Sequence, residues 1–442
     1  MLSREDNELL CRTGPGTPMG ELLRRYWIPA LLASELPGPD CHPVRIGLLS
    51  QKLVAFRDSQ GRPGLVAENC PHRGASLYFG RNEQCGLRCV YHGWKFDVSG
   101  RCVDMPNEPP ESTCKDSPTE QPRRAQVAAA EGDKVRAVAY PCVDRGGVVW
   151  TYMGPPELQP ELPDLEWALV PPEQRHVSKR WQETNYAQAM EGGIDSSHVS
   201  FLHRDLSRQR LSSRGTEYLR KDGAPHFEVV DTPYGFVIGA RRVADHSSYY
   251  WRITQWLFPW YTMIPPFGDQ PIGGHAWVPI DDENCWTFSV SWHPRRPISD
   301  AELANIEQGY SIHAVNMPGT FRPVRNKSND YLIDREAQRT GGSFTGIFGI
   351  SEQDTAVQES MGSIYDRSQE HVGAADTAII QMRRRLLKAA RDLRRGLGPP
   401  GLEPETFRVR SVSLVLPRDV PSWPEAAREA MAAEPGRFFV SV

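Results

Sequence analysis

The sequence predicts an α+β protein: an all-β N-terminal domain of short strands, followed by a larger domain in which an antiparallel sheet carries helices. Three observations lead there. The 442 residues are enough for two or three hydrophobic cores. From Pro43 to Met153 the apolar residues come in short runs punctuated by Gly, Pro, Ser and Asn, the pattern of small antiparallel strands. Beyond the proline-dense run from Gly154-Pro155-Pro156 to Pro172, which places a boundary near residue 155, longer strand candidates are followed by segments of helical periodicity.

Taken in order, Ser3 with Asp6 opens a helix to about Cys11, Pro15-Gly16 breaks it, and residues 19–26 read as further helical turns. Strands are expected over residues 44–49, 53–57, 64–68, 101–105, 135–142 and 148–153, with turns at 59–61, 98–100 and 146–147. Residues 114–134 are polar and aperiodic and read as an inserted mobile loop. In the second domain, strands are expected over 176–183, 227–242, 249–264 and 275–292, the last folded back at 281–284. Ser299 and Glu302 form a capping box for a helix through about residue 312, and Ile379, Met382, Leu386, Ala390 and Leu393 line one face of a long helix over 374–393. The resulting division is 1–155 with a helical N-terminal arm, 156–398, and a proline-rich C-terminal extension over 399–442.

Composition narrows the class of function. With 39% hydrophobic and 24% charged residues the chain is globular, and a net charge of -4 supplies no cationic field, so neither nucleic acid nor an anionic membrane is an expected partner. The start is charged where a secretory signal needs an apolar core, and no uninterrupted apolar run is long enough for a membrane span; a cytoplasmic location is expected. Nine cysteines, an odd number, argue for free thiols and metal ligands over a disulfide framework.

Two clusters carry the chemistry. The first is Cys70-Pro71-His72 and, after sixteen intervening residues, Cys89-Val90-Tyr91-His92-Gly93-Trp94. Each half offers one thiolate and one imidazole. A tetrahedral zinc, with Cys85 as a spare ligand, is one reading, but Cys-x-His is too tight for a zinc-finger hairpin and suits a 2Fe-2S cluster with both Cys on one iron and both His on the other. The second cluster is Asp195, His198 and His203. At a spacing of three on a helix, Asp195 reaches the His198 ring and fixes its tautomer; His203, five further on, is turned about 140° away, so the two rings meet only by leaning toward a shared ion. Gly192-Gly193 is expected to interrupt the helix and let a second segment begin near Asp195. Two imidazoles and one carboxylate make the facial triad of non-haem Fe(II). Such a histidine pair alone, among twelve histidines, is more often structural.

The Cys70-Pro71-His72-Arg73-Gly74 and Cys89-x-Tyr91-His92-Gly93-Trp94 motifs, with Asp195-x-x-His198-x4-His203, Glu191-Gly192-Gly193-Ile194, Gln353-Asp354 and the opening Asp6-Asn7-Glu8-Leu9-Leu10, resemble the oxygenase (alpha) component of Rieske non-haem iron ring-hydroxylating oxygenases, in the branch of phthalate dioxygenase and dehydrodivanillate O-demethylase. The resemblance spans most of residues 1–395. It implies a Rieske domain followed by a helix-grip catalytic domain, with the cluster on Cys70, His72, Cys89 and His92 and the mononuclear iron on His198, His203 and Asp354. From spacing alone Asp354 is better read as the N3 acid of a helix capped by Ser351, and the resemblance reverses that; Glu359 and Asp376 are lesser candidates. Respiratory Rieske proteins carry a further cysteine in each loop, where Ala75 and Tyr91 stand here, and a hydroxyl residue where Trp94 stands. Fewer donors to the sulfurs imply a potential near the low end of the Rieske range, on the order of -150 mV.

The resemblance also implies a functional homotrimer, or a dimer of trimers, in which His92 of one subunit faces the iron site of the next and Asp195 bridges the two rings. Asn185 is expected near the iron or as a local cap. Arg210, Arg241 and Arg242 are the candidates for holding a substrate carboxylate, and Trp256, Phe258, Trp260 and Tyr261 either wall an aromatic pocket or are core. The expected function is a terminal oxygenase that uses dioxygen, and electrons from NAD(P)H through a separate flavin- or ferredoxin-type reductase, to act on a carboxylated aromatic. O-demethylation of a methoxylated, lignin-type aromatic is favoured, with phthalate-type cis-dihydroxylation as the alternative. A Rieske electron carrier without chemistry of its own is the rival of another class.

Overall fold

In the computed structural model, residues 1–108, 135–205, 215–434, 436 and 438–442 are described. The expected inserted loop over 114–134 lies outside them. The chain forms two compact units, Arg24–Gln159 and a second made of Met1–Leu23 with Pro160–Val442.

Among the described residues the smaller unit is built from three antiparallel sheets. One joins β1 (Trp27–Leu32) to β11 (Val148–Tyr152) and β10 (Cys142–Arg145); a second runs β2 (Val44–Leu48), β3 (Gln51–Arg57), β4 (Pro63–Ala67), β9 (Ala139–Tyr140). The third runs β5 (Arg81–Glu83), β6 (Gly86–Arg88), β7 (Lys95–Phe96), β8 (Cys102–Asp104). In β3 the run Leu53-Val54-Ala55-Phe56 is buried throughout, because both faces are covered. Val54, Phe56, Val66, Leu87 and Phe96 share one core with Cys70 and Cys89. Residues 27–32, which the sequence reading left out of the sheet, form β1, and the helix before them, Pro18–Leu23, ends sooner than expected.

The larger unit is organised on an eight-stranded antiparallel sheet among the described residues: β12 (Arg175–Gln182), β18 (Cys285–Trp292), β17 (Ile272–Pro279), β16 (Tyr261–Ile264), β15 (Ser248–Leu257), β14 (Gly235–Val243), β13 (His226–Thr232), with β19 (Val412–Pro417) paired to β15. Residues 227–242 and 249–264, each expected as one strand, are hairpins. The first turns at Pro233-Tyr234 and the second at Phe258-Pro259-Trp260. The capping box at Ser299 and Glu302 is present, but its helix stops at Glu307 because Gly309 turns the chain at φ 78.

The helix Tyr186–Ile194 lies on β17 and does not break at its glycine pair. Gly193 is glycine because a Cβ there would sit 2.0 Å from Cη2 of Trp277 on β17; the residue permits close packing instead of interrupting the helix.

Two departures from the expected division have the same cause: long-range packing invisible to local periodicity. The N-terminal helices Arg4–Cys11 and Pro18–Leu23 belong with the larger unit and pack on the long helix Thr377–Arg394. Nor is the C-terminal segment an appendage. β19 completes the sheet beside β15, and Trp423 of the helix Trp423–Met431 stacks on Trp251 at 5.1 Å and donates from Nε1 to Glu228 (2.9 Å).

A buried ion network joins these parts. Oε1 of Glu191, on the helix Tyr186–Ile194, accepts from Nε of Arg367 (2.9 Å) and Nε of Arg383 (2.7 Å); Arg383 also binds Glu370, and Nη1 of Arg367 donates to Asn7. Burial pushes the Glu191 carboxyl up, but the two guanidiniums outweigh it and hold it below the ordinary glutamate value. Glu191→Leu leaves Arg367 and Arg383 buried without their shared anion and is expected to lower unfolding free energy by about 3–5 kcal/mol, read from the urea midpoint. Because the folded carboxyl titrates below the unfolded one, wild-type protein has this stabilisation in full above about pH 4.3 and loses it as pH falls toward the lower folded value. The variant is expected to lack that part of the acid dependence.

Candidate functional site

In the smaller unit the two Cys/His loops have one backbone design. Cys70 N–H donates to Ala75 O (2.8 Å) and Gly74 N–H to Cys70 O (2.8 Å); Cys89 N–H donates to Trp94 O (2.8 Å) and Gly93 N–H to Cys89 O (2.9 Å). Gly74 and Gly93 take φ of 76 and 82, where other residues are strained. Each loop buries its thiol and leaves its imidazole part-exposed. The rings of His72 and His92 meet edge to face at 4.5 Å, and Trp94 stacks flat on His72 at 4.2 Å with its Nε1–H directed to Asn107. Burial, with Cys89 alongside, pushes the Cys70 thiol up to about 11, so Cys70 is not a reactive nucleophile. A cation that holds both as thiolates is the chemistry the pair suits. Cys85 stands apart in the tight turn between β5 and β6 at φ 58, which removes the zinc reading's spare ligand.

In the larger unit the helix Tyr186–Ile194 ends at Asp195, its C-cap, and His198 lies on the short 3-10 turn His198–Ser200, not on a continuous helix. The helix Ile350–Ser360 brings Asp354 to the same place. His198, His203 and Asp354 each present one ligand atom within 4.8 Å of the others. Oδ1 of Asp354 is 3.1 Å from His203 Nε2 and 3.6 Å from His198 Nε2. Both tautomers are fixed from behind. His198 Nδ1 faces Asp195 Oδ2 at 3.2 Å, and that carboxylate also accepts from Ser197 N–H. His203 Nδ1 faces Oε1 of Gln353 at 2.7 Å, while Gln353 Nε2 donates to Ile347 O (2.8 Å) and Thr345 Oγ1 (3.0 Å). Since a carbonyl takes the amide nitrogen, the amide oxygen faces His203, whose Nδ1 is therefore the protonated one. Each Nε2 is left with its lone pair toward Asp354. Burial opposes charge on His198, but Asp195 and Asp354 outweigh it and raise its pKa; burial opposes charge on Asp354, but His203 and His198 hold its pKa down. A field that favours a proton here favours a cation equally, and the donor set is that of a mononuclear non-haem iron.

Asp354 is not the cap acid that Ser351 spacing allows. The helix begins after Gly349 at φ 94 with no side-chain cap, and Ser351 Oγ is buried with no hydrogen-bond partner among the described residues. Glu359 is engaged by Tyr331 and by Glu183 N–H, and Asp376 by Gly373 N–H, so neither joins the triad.

The triad opens on a cavity of about 600 Å³ with apolar walls from Ile264, Phe267, Trp277, Ile306 and Ile312. Of the expected carboxylate-binding arginines, Arg210 lies outside the described residues. Arg241 is on the opposite face of β14, over the rings of Tyr249 and Trp251 and 3.8 Å from Glu228. Arg242 is buried but spent on structure, donating to Ser196 O (2.9 Å) and Asp222 O (3.0 Å). Four arginines line the cavity, Arg180, Arg204, Arg220 and Arg252, none of them named from the sequence; Arg204 and Arg220 are exposed, whereas Arg180 and Arg252 are buried. Arg252 is 4% exposed, lies 4.4 Å over Phe267 and donates from Nη2 to Pro265 O (3.1 Å); Nε and Nη1 have no partner among the described residues. Its signal was available: in β15 it shares strand parity with Tyr250, Thr254 and Trp256, so a charge lies on the inward face. Asn185 does not reach the cavity. It is the N-cap of the helix Tyr186–Ile194, accepting from Ala187 N–H and donating to Cys11 O and Asp282 O. Trp256, Phe258, Trp260 and Tyr261 are core, not cavity wall.

Comparison with known proteins agrees with both centres. Residues 26–142 match the Rieske [2Fe-2S] domain and residues 151–430 the LigXa C-terminal domain-like family. The chain is 38% identical to the 3-chlorobenzoate-3,4-dioxygenase oxygenase subunit of Comamonas testosteroni, over 95% of this chain and 96% of that one. It is 37% identical to the phthalate 4,5-dioxygenase oxygenase subunit of Pseudomonas putida (95% and 94%) and 33% to the 5,5'-dehydrodivanillate O-demethylase oxygenase subunit of Sphingobium sp. (98% and 90%). Among solved structures, dicamba monooxygenase bound to dicamba shares the fold at 18% identity, with a TM-score of 0.56 over 85% of this chain and 99% of that one. The chain belongs to the Rieske non-haem iron oxygenases, as an oxygenase subunit of the phthalate dioxygenase and dehydrodivanillate O-demethylase branch. Its cofactors are a Rieske 2Fe-2S cluster and a non-haem iron. Among the described residues no helix is long and apolar enough to cross a membrane.

Asp354→Ala is expected to abolish mononuclear iron while cluster iron, acid-labile sulfide and the visible spectrum stay at wild-type levels, by metal and sulfide analysis. Gln353→Leu, which frees the His203 tautomer, is expected to weaken iron retention about 10- to 100-fold in a chelator competition.

Proposed function

We propose that this chain is the terminal oxygenase of a multicomponent system that oxygenates a small aromatic carboxylate. The observation that carries the reading is Arg252, a buried guanidinium with two nitrogens, Nε and Nη1, uncommitted among the described residues, in the same apolar cavity as the His198–His203–Asp354 triad. A buried cation with spare donors suits an anionic oxygen pair, and apolar walls suit a ring. The relatives at 37–38% identity are named for 3-chlorobenzoate and phthalate, both benzoic acids. That support moves the preferred outcome from O-demethylation to ring dioxygenation. O-demethylation stands second, on the 33% relative.

In this reading His198, His203 and Asp354 hold the iron, and Cys70, Cys89, His72 and His92 hold the cluster. Once bound, the cluster supplies single electrons and the iron activates dioxygen beside the ring. Arg252 fixes the carboxylate and so chooses which ring carbons face the triad; the apolar walls exclude water from them. Asp195 keeps the His198 tautomer and is the link to a neighbouring subunit's cluster in a homotrimer. Val90 and Tyr91, 58% and 56% exposed beside His92, are an apolar rim suited to that contact. The electrons come from NAD(P)H through a separate reductase.

The holoenzyme with a surrogate reductase is expected to consume dioxygen with benzoates or phthalates and not with the matching neutral arenes; labelled dioxygen then shows one or both atoms in the product. No oxygen consumption with any acid of the panel would sink the substrate class. Arg252→Gln is expected to raise KM for the acid roughly 10- to 100-fold with iron content unchanged. Asp195→Asn is expected to keep both metal centres and lower turnover roughly 100-fold.

A further inference from the structure

Oxygenation in this cavity needs protons. Adding dioxygen to a ring as a cis-diol takes up two electrons and two protons; O-demethylation takes up the same and releases formaldehyde and water. An aromatic acid that fills the cavity displaces the water that would deliver those protons, so a route through the wall is required. One set of side chains forms such a route and is used by nothing described so far. Ser291 on β18 lines the cavity. Its Oγ is 2.9 Å from Nε2 of His313, and Nδ1 of the same ring is 2.6 Å from Oγ of Ser178 on β12. β12 is an end strand of the sheet order, and Ser178 and its neighbour His176 are part-exposed, whereas His313 is 1% exposed. The His176 ring meets His313 edge-on at 4.7 Å. Cross-strand pairing of His176 with Ser291 and of Ser178 with Ser289 puts this set on one face of the sheet, where the His313 ring bridges the strands.

A structural histidine is ordinarily locked in one tautomer by a carbonyl or carboxylate, as His198 and His203 are. Among the described residues the His313 ring has neither partner. Both nitrogens face hydroxyls, each of which donates or accepts on rotation, so either tautomer is equally well bonded. We infer that Ser178, His313 and Ser291 form a proton relay from the sheet edge to the cavity, an inference that rests on the oxygenase reading above. In one transfer the Ser178 O–H bond breaks as His313 Nδ1–H forms, His313 Nε2–H breaks as a new O–H forms on Ser291, and Ser291 passes its own hydroxyl proton to the dioxygen-derived oxygen in the cavity. Water at the edge reprotonates Ser178. No electrons move along the chain; they come from the reductase through the cluster.

The test uses the reconstituted holoenzyme with its best acid substrate. Ser291→Ala and His313→Gln are each expected to lower kcat about 10- to 100-fold with KM unchanged, and to raise the solvent deuterium isotope effect on kcat, because proton delivery becomes limiting. Iron and sulfide content and the rate of cluster reduction report that the protein is intact. Should His313→Gln fail to fold, Ser291→Ala decides alone, since it removes only one oxygen. A Ser291→Ala enzyme within twofold of wild type, or slowed with no change in the isotope effect, overturns the relay and leaves the oxygenase reading standing. Wild-type enzyme that consumes no oxygen with any acid overturns both.

Discussion

Two hydrogen bonds made behind the site set its chemistry: Asp195 on Nδ1 of His198 and Gln353 on Nδ1 of His203. Each forces its ring to present a lone pair at Nε2, and only then do two imidazoles and Asp354 become three donors to one cation. Much of the larger unit serves to bring these two imidazole–partner pairs together. Gln188 on the first helix donates to Gln358 O and Gly362 O at the end of the second, and Gln182 of β12 donates to the Gln358 side chain (2.6 Å). Gly193 lets the first helix settle onto Trp277, and Glu191 ties the same helix to the long C-terminal one. The register between Asp195–His203 and Gln353–Asp354 is therefore a property of the packed core, although each half is local in sequence.

This division explains what could be read from the chain and what could not. The candidate ligand sets could be read because the donors fall on short stretches: Cys70 to His72, Cys89 to His92, His198 to His203. The strand-rich and mixed halves were legible from the change in apolar period near residue 155. What failed depended on partners far along the chain. The glycine pair read as weakening the helix, when Gly193 is there for Trp277, more than eighty residues on, and Gly192 sits against Gln358. The arm before Leu23 read as part of the first domain because nothing local shows that Asn7 meets Arg367. Ser351 read as a cap by spacing, yet Gly349 starts that helix.

The arginines show the same limit in electrostatic form. Arg241, Arg242 and Arg252 lie on two neighbouring strands, Arg241 and Arg242 paired across them with Trp251 and Tyr250. They differ in how many of their N–H groups the fold has already engaged. Arg241 is on the outward parity, where a carboxylate and two rings suffice for a part-exposed charge. Arg242 is inward and held by two backbone carbonyls, one of them Ser196 O beside Asp195, so it braces the ligand turn. Arg252 is inward with one such bond. A guanidinium has five N–H groups, and burial makes each uncommitted one costly, so of the three Arg252, with the fewest internal acceptors, is the one suited to a partner from outside.

The C-terminal segment then acquires a role that its composition hides. β15 pairs with β16 only over residues 255–257, so without β19 its first half would be an open edge. β19 fills that edge and sets Ser413 opposite Arg252. Ser413 Oγ donates to Pro266 O (3.1 Å) and Ser411 Oγ to Met263 O (2.6 Å), while Arg252 itself donates to Pro265 O. The stretch 263–267, which carries Phe267 and forms part of the cavity wall, is thus held at three carbonyls, two of them by residues beyond 410. Strand, anchor and wall are fixed by one another, and the part of the chain that looked least like an enzyme holds in place the arginine proposed to orient the substrate.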